Sequence, residues 1–147
     1  MLEVPLVRLD PDLPVPSYAR EGDAGADLYA RSDTLLGPGG GRALVATGVA
    51  LAIPAGYAGF VQPSSGLAAR NGVTCLNTPG LIDSGFRDEL CVLLVNTDPR
   101  EAYQVRRGDR VAQLVIKRVE EAKFVEVGPD EMPDSVRGRG GFGHTGR

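Results

Sequence analysis

The apolar runs in this chain are of strand rather than long-helix length, and glycine, proline and aspartate stand between the runs. Ala43 to Ile53, Tyr57 to Val61, Leu90 to Val95, Val111 to Val119 and Phe124 to Val127 are rich in β-branched residues. Short β-branched runs between turn formers predict strands, and a series of them predicts an all-β sandwich or barrel. The 20 glycines and 11 prolines make up about a fifth of the 147 residues, against about an eighth in average usage. Many turns and few helices follow. The length is that of one domain, and at 42% hydrophobic residues it can build a real core. Leu2 to Arg8 alternates weakly and predicts an edge strand that tolerates Pro5. Only Ser64 to Arg70 reads as a helix, a short one that opens on a serine cap.

Charge and composition exclude several classes of function. A net charge of −3 argues against a protein that holds nucleic acid through its phosphate backbone. Cys75 and Cys91 both lie in apolar runs, which predicts buried thiols in a reducing compartment. His144 is the sole histidine, so a histidine-rich zinc site is ruled out, and no Gly-x-Ser-x-Gly elbow is present. The glycine-rich Leu36 to Arg42 lacks the Lys-Ser/Thr of a phosphate loop. No basic segment followed by an apolar run opens the sequence, and no apolar stretch reaches the length of a membrane span; the reading is a cytoplasmic protein.

The richest stretch is Asn77-Thr-Pro-Gly-Leu-Ile-Asp83-Ser-Gly-Phe86, followed by the apolar run to Asn96. It predicts a β-hairpin with Asp83 at its bend. Ordinary turn chemistry would account for Asp83-Ser84-Gly85, since aspartate accepts from amides two residues on and glycine takes positive φ. Four other blocks carry similar residues: Asp23-Ala-Gly-Ala-Asp27-Leu-Tyr, Pro63-Ser-Ser-Gly-Leu-Ala-Ala-Arg70, Gly108-Asp-Arg-Val-Ala-Gln113-Leu and Arg137-Gly-Arg-Gly-Gly-Phe142-Gly-His-Thr-Gly-Arg147. Each has a plain structural reading: an Asp turn, a helix cap whose free amides suit a phosphate, an outward strand residue, a disordered terminus. Arg137 to Arg147 holds five glycines, three arginines and no aliphatic side chain, too little to order alone.

In this order and spacing, the five blocks resemble the motifs of the trimeric dUTPases, over nearly the whole chain. The resemblance implies an all-β jelly roll or barrel with one short helix, assembled as a homotrimer whose sites are built from all three chains. Residues 1–133 would form the β domain, and 134–147 a flexible tail that closes over the site. The implied reaction is hydrolysis of dUTP to dUMP and pyrophosphate, with Asp83 activating the water. Asp27 would meet waters around a Mg²⁺ bound by the triphosphate; Mg²⁺ prefers few carboxylates plus phosphates, so one aspartate suffices. Ser64, Ser65, Gly66 and Gln113 would meet phosphate or water. Asn77, Leu81, Ile82 and the Cys91 backbone would read uracil, with Phe86 against the deoxyribose. Arg137, Phe142 and Gly143 would come from the tail, Phe142 stacking on the base. A site that donates an N–H to uracil O4 would face cytosine with a second donor, and unpaired polar groups reject strongly.

The chain departs from the family pattern at three places. Ser64 stands where the family usually has arginine, Phe86 where it mostly has tyrosine, and Asp88 where it usually has glycine. The lost cation at position 64 leaves Arg70, Arg87, Arg110 and the tail arginines as substitutes. Two other readings remain at this stage. A dCTP deaminase, or a bifunctional deaminase and dUTPase, would carry a glutamate ten residues after the hairpin aspartate, where this chain has Leu93. A non-catalytic nucleotide-binding regulator would keep the pocket without the turnover.

Overall fold

The computed structural model describes residues 1–146. Its strands are β1 (Leu6–Arg8), β2 (Ala26–Tyr29), β3 (Thr34–Leu36), β4 (Gly41–Leu51), β5 (Tyr57–Pro63), β6 (Val73–Cys75), β7 (Gly80–Ile82), β8 (Glu89–Asn96), β9 (Tyr103–Val105) and β10 (Arg110–Arg118). One helix, α1 (Ser65–Asn71), follows β5. Two antiparallel four-stranded sheets, in the orders β1-β4-β8-β6 and β2-β10-β5-β7, pack together as a jelly-roll type sandwich, with β3 and β9 pairing as a separate ribbon.

Alternation along the strands divides core from surface. On β8, Leu90, Val92 and Leu94 point inward while Cys91 and Leu93 are partly exposed. On β2, Ala26 and Leu28 are buried and Asp27 faces out. The inward set joins Leu36, Ile53, Val61, Val105, Val111 and Leu114 in one core. Among the described residues no helix is long and apolar enough to cross a membrane.

The structure corrects four expectations. Residues 77–96 do not form one hairpin: β7 pairs with β5 in one sheet and β8 pairs with β4 and β6 in the other. The arm that returns on β8 is β6, with Cys75 opposite Leu94 and the Leu76 N–H donating to the Leu93 carbonyl, so 77–88 is a long connection that crosses between sheets. Apolar periodicity marks both arms as strands but does not say which strand each one pairs with. Phe124 to Val127 is not a strand; Phe124 is 94% exposed, and among the described residues no neighbouring edge supplies backbone partners. Cys91 is only half-buried, because it falls on the outward phase of β8, whereas Cys75 is buried as expected. The edge strand at the start is shorter than Leu2 to Arg8 and begins after Pro5.

Two polar devices hold the connection between sheets in place. Gly48, at φ 75°, bulges out of β4 where the register to β8 shifts, and a Cβ there would lie 3.0 Å from that of Asp10. Its N–H donates to Glu89 Oε1 at 2.9 Å, and Arg31 donates to the same carboxylate at 2.9 Å. Glu89 is thus fixed where the connection re-enters the sheet. At the other end of β8 the fully buried Asn96 donates to the Leu36 and Glu101 carbonyls at 3.1 and 2.8 Å and accepts from the Asp98 N–H at 3.0 Å.

Candidate active site

Three of the five sequence blocks converge on one pocket. In the β2-β10-β5 sheet, Asp27 lies opposite Gln113, and Gln113 lies opposite Gln62. Directly opposed residues share a face, so Asp27 and Gln113 point out together. At the end of β5 the chain turns into α1, where Ser64 caps the helix by accepting from the Leu67 N–H at 3.4 Å. The resulting cavity of about 300 Å³ is lined by Asp27, Ser64, Gly66, Arg70, Arg110 and Gln113, among others.

The glycines of these blocks make room for side chains of the site. A Cβ on Gly25 would lie 2.6 Å from Gln113 Oε1 and 2.9 Å from Gln113 Cβ. A Cβ on Gly66 would lie 2.9 and 3.0 Å from the two terminal nitrogens of Arg70. Long helical side chains lean back toward the N-terminus, so Arg70 reaches one turn up α1 and brings its terminal nitrogens to Gly66. Arg110 Nη1 is 3.5 Å from Asp27 Oδ2. Burial pushes the Tyr103 phenol up, the Asp109 carboxylate adds to this, and the Arg70 guanidinium opposes it.

Asp83 lies elsewhere. It lines a different cavity, with Tyr57, Ala58, Ser84, Glu120 and Glu121. A backbone bond from the Phe86 N–H to the Asp83 carbonyl, at 3.1 Å, closes the bend. Gly85 does not take positive φ, and the Asp83 carboxylate accepts no hydrogen bond among the described residues, so the turn chemistry expected of it is not used. Other loop aspartates behave differently: Asp23, Asp98 and Asp109 each accept from a backbone N–H nearby. Ile82 pairs with Gly59, which places Asp83 level with Ala58, six residues along β5 from Ser64. At about 3.3 Å per residue, that is roughly 20 Å from the helix end of the pocket.

The remaining expected residues group with Asp83 or with the tail. Asn77 is exposed and packs against Gly80, Leu81 is 60% exposed and Phe86 40% exposed on the same connection. Ser65 is exposed in the first turn of α1. Arg87 is not in the phosphate-type pocket; its guanidinium donates to the Ser84 and Phe86 carbonyls at 2.6 and 2.9 Å and ties the bend. Burial, reinforced by Glu89 and Asp88, raises the Cys91 thiol above its ordinary value. In the tail, Arg137 Nε donates to the Gly140 carbonyl at 2.7 Å, Phe142 is fully exposed at φ 49°, and Gly143 takes φ 74°. The hydrogen bonds of residues 134–146 fall within the tail itself. Arg147 lies outside the described residues.

Sequence reasoning missed Gly25 as the seat of Gln113 and the two glutamates beside Asp83. Glu120 and Glu121 follow β10 after Val119, and the register of that strand runs Arg118 against Tyr57, so their place depends on a strand pairing that only the fold reveals.

The dUTPase family matches residues 12–146 of the chain. The deoxyuridine 5'-triphosphate nucleotidohydrolase of Thermobifida fusca is 59% identical over 145 residues, covering 99% of this chain and 79% of its own. That of Mycolicibacterium gilvum is 54% identical, covering 96% and 93%. Among solved structures, the Staphylococcus bacteriophage 80alpha dUTPase with dUPNHPP superposes at a TM-score of 0.88 with 24% identity and full coverage of both chains, which speaks to the fold. A point mutant of the dUTPase from phage phi11 of S. aureus, described as coordinating a structural Mg(II) ion, does so at 0.78 with 23% identity, covering 89% of this chain and 100% of its own.

Proposed function

This chain belongs to the dUTPase family and hydrolyses dUTP, and we propose that it does so with Asp83 of one copy acting on a triphosphate held in the Asp27–Arg70–Gln113 pocket of another. The observation that carries this reading is the gap within one chain between an unbonded carboxylate at a bend and a cationic, polar pocket roughly 20 Å away. General-base catalysis needs the carboxylate within hydrogen-bond reach of the attacking water, and the water about 3 Å from phosphorus. A second copy closes the gap.

Apolar surface supports an assembly. Leu44 is 67% exposed and pairs with Leu93 on the outer face of the β4–β8 sheet, where Ala46 pairs with Cys91 and Leu76 is 47% exposed. A contiguous apolar sheet face of this kind marks a protein interface. The segment after β10 likewise carries Phe124, Val125, Met132 and Val136, at 94%, 70%, 67% and 111% exposure. A homotrimer gives both surfaces a partner and brings residues 134–147 of one copy to a site on its neighbours, where Phe142 would stack on the base and Arg137 and Gly143 would meet the phosphates.

The residues then divide the reaction. Asn77, Leu81, Ile82 and the Cys91 backbone hold uracil edge-on, and the Phe86 ring lies against the sugar. Ser65, Gly66 and Gln113 meet phosphate oxygens. Asp83 takes a proton from water as its oxygen bonds to the α-phosphorus; the bond to the bridging oxygen breaks, and pyrophosphate leaves with that electron pair. Positioned proton transfer of this kind is worth roughly 10²–10⁴ in rate. Asp27 fits a hydrated Mg²⁺: it is a single carboxylate, 18% exposed, beside a pocket that offers few other acidic ligands, as suits an ion whose remaining ligands are water and phosphate oxygens. Bound there, the ion supplies charge neutralisation of the triphosphate. Release of pyrophosphate with dUTP, dTTP, dCTP and UTP as substrates tests the reading. Turnover confined to dUTP supports it, and equal turnover of dCTP or none of dUTP overturns it.

A further inference from the structure

We propose that Arg70 supplies the cation that Ser64 does not, binding the nucleotide's polyphosphate through its guanidinium fork. The inference rests on the reading of this pocket as the triphosphate site and names the residue that carries its charge. Ser64 is neutral, and its hydroxyl is engaged in capping α1. Most other arginines near a candidate site are already committed. Arg110 faces Asp27 at 3.5 Å, Arg87 ties the Ser84–Phe86 bend, Arg118 donates to the Tyr57 hydroxyl at 3.1 Å, and Arg137 bonds within the tail. Arg70 makes no ion pair among the described residues.

Its position is also specific. The two terminal nitrogens of the guanidinium reach the space that a Cβ on Gly66 would take, at 2.9 and 3.0 Å from it, so the glycine works as a seat for them. It lines the same cavity as Ser64 and Gln113. That lining holds two cations, Arg70 and Arg110, against the one carboxylate of Asp27, and so carries a surplus positive charge. A planar fork with unpaired donors matches phosphate oxygens two at a time, which a lysine in its place would not.

The test uses the assembled full-length protein with magnesium. Binding of inorganic tripolyphosphate is measured by calorimetry, and kcat and KM for dUTP by pyrophosphate release. Arg70→Ala is expected to weaken tripolyphosphate binding and raise KM by about tenfold or more, most at low salt. Arg70→Lys should recover part of this, and Arg100→Ala, which removes an equal charge elsewhere on the surface, should change neither. Ser64→Arg combined with Arg70→Ala should restore most of the loss seen in Arg70→Ala. Should Arg70→Ala melt early, the lysine variant and the Ser64→Arg rescue become the deciding arms. The proposal is overturned if Arg70→Ala binds and turns over like wild type, if Arg100→Ala loses as much, if the rescue fails, or if wild type does not bind tripolyphosphate. Loss of tripolyphosphate binding in Arg70→Ala, with no dUTP turnover by wild type, would instead sink the functional reading and leave Arg70 in place.

Discussion

Replacing Gly25 by alanine adds one methyl group where the structure has the least room near the site. The new Cβ would meet Gln113 Oε1 at 2.6 Å and Gln113 Cβ at 2.9 Å. The carboxamide can rotate away, but the Cβ of Gln113 moves only with β10. Ordinary contact starts at 3.4 Å, so the strands must part by about half an ångström at the point where Asp27 and Gln113 face each other. The backbone of Gly25 does not take positive φ, so the penalty is steric rather than conformational. Overpacking of this kind costs about 1–3 kcal/mol. For a domain of this size that lowers the melting temperature by roughly 3–10 °C. Because Gln113 and Asp27 shift relative to each other, kcat/KM for dUTP should fall by about tenfold or more. Gly37→Ala is the matched control: nothing lies within 4 Å of the added carbon and φ is not positive, so it should melt and turn over as wild type does. Thermal melts and dUTP kinetics on the three proteins decide the matter. A Gly25→Ala protein with wild-type melting and wild-type kcat/KM would refute the claim that this glycine seats Gln113.

Further outcomes follow from particular contacts. Asp83→Asn should retain dUTP binding, read as a KM near wild type, and lose about 10²-fold or more in kcat; comparable turnover would remove Asp83 from the base role. Asn96→Ala leaves the Leu36 carbonyl unpaired in the core and the Glu101 carbonyl unpaired at its edge, and should cost about 2–4 kcal/mol in urea denaturation, whereas a loss below about 0.5 kcal/mol would show that water reaches both. The Arg107 guanidinium bonded to Asp10 holds that carboxyl down at about 2, with the Asp12 N–H and Arg31 assisting against desolvation. Asp10 is therefore charged and stabilising above its unfolded value of about 3.9, and that stabilisation is lost as pH falls toward 2. Denaturation midpoints of wild type and Asp10→Asn should converge across that window, and curves that stay parallel would contradict the pairing.

Much of this was legible in the chain because strands and turns leave local marks. The runs Ala43 to Ile53, Tyr57 to Val61, Leu90 to Val95 and Val111 to Val119 mark β4, β5, β8 and β10, and Ser64 marks the start of the one helix. The pairings were not legible, since β7 and β8 carry the same apolar signal whether they face each other or join separate sheets. Phe124 to Val127 misled for a related reason: an apolar, β-branched run becomes a strand only where a free edge meets it. In the site, residue types at fixed spacing named Asp27, Ser64, Gln113 and Asp83, but not which of them share a cavity. That depends on register, which sets Gln113 beside Asp27 and carries Asp83 to the far end of β5. The choice of Arg70 over Arg87 was closed to sequence reading as well, because it turns on where a long side chain lies.

Subunit mixing tests directly whether Asp83 and the phosphate-type pocket serve each other across a subunit boundary. One parent is Asp83→Asn; the other carries Asp27→Asn with Gln113→Ala and keeps its Asp83. Each should be nearly inactive alone. The two are mixed in equal amounts, dissociated and reassembled, with exchange verified by mass on differently tagged chains, and pyrophosphate release from dUTP is measured. If the two halves of each site come from different copies, random mixing unites an intact pocket with an intact Asp83 at about a quarter of sites, and activity should rise to about a quarter of wild type. Activity that stays at the sum of the parents, despite proven exchange, would contradict the account.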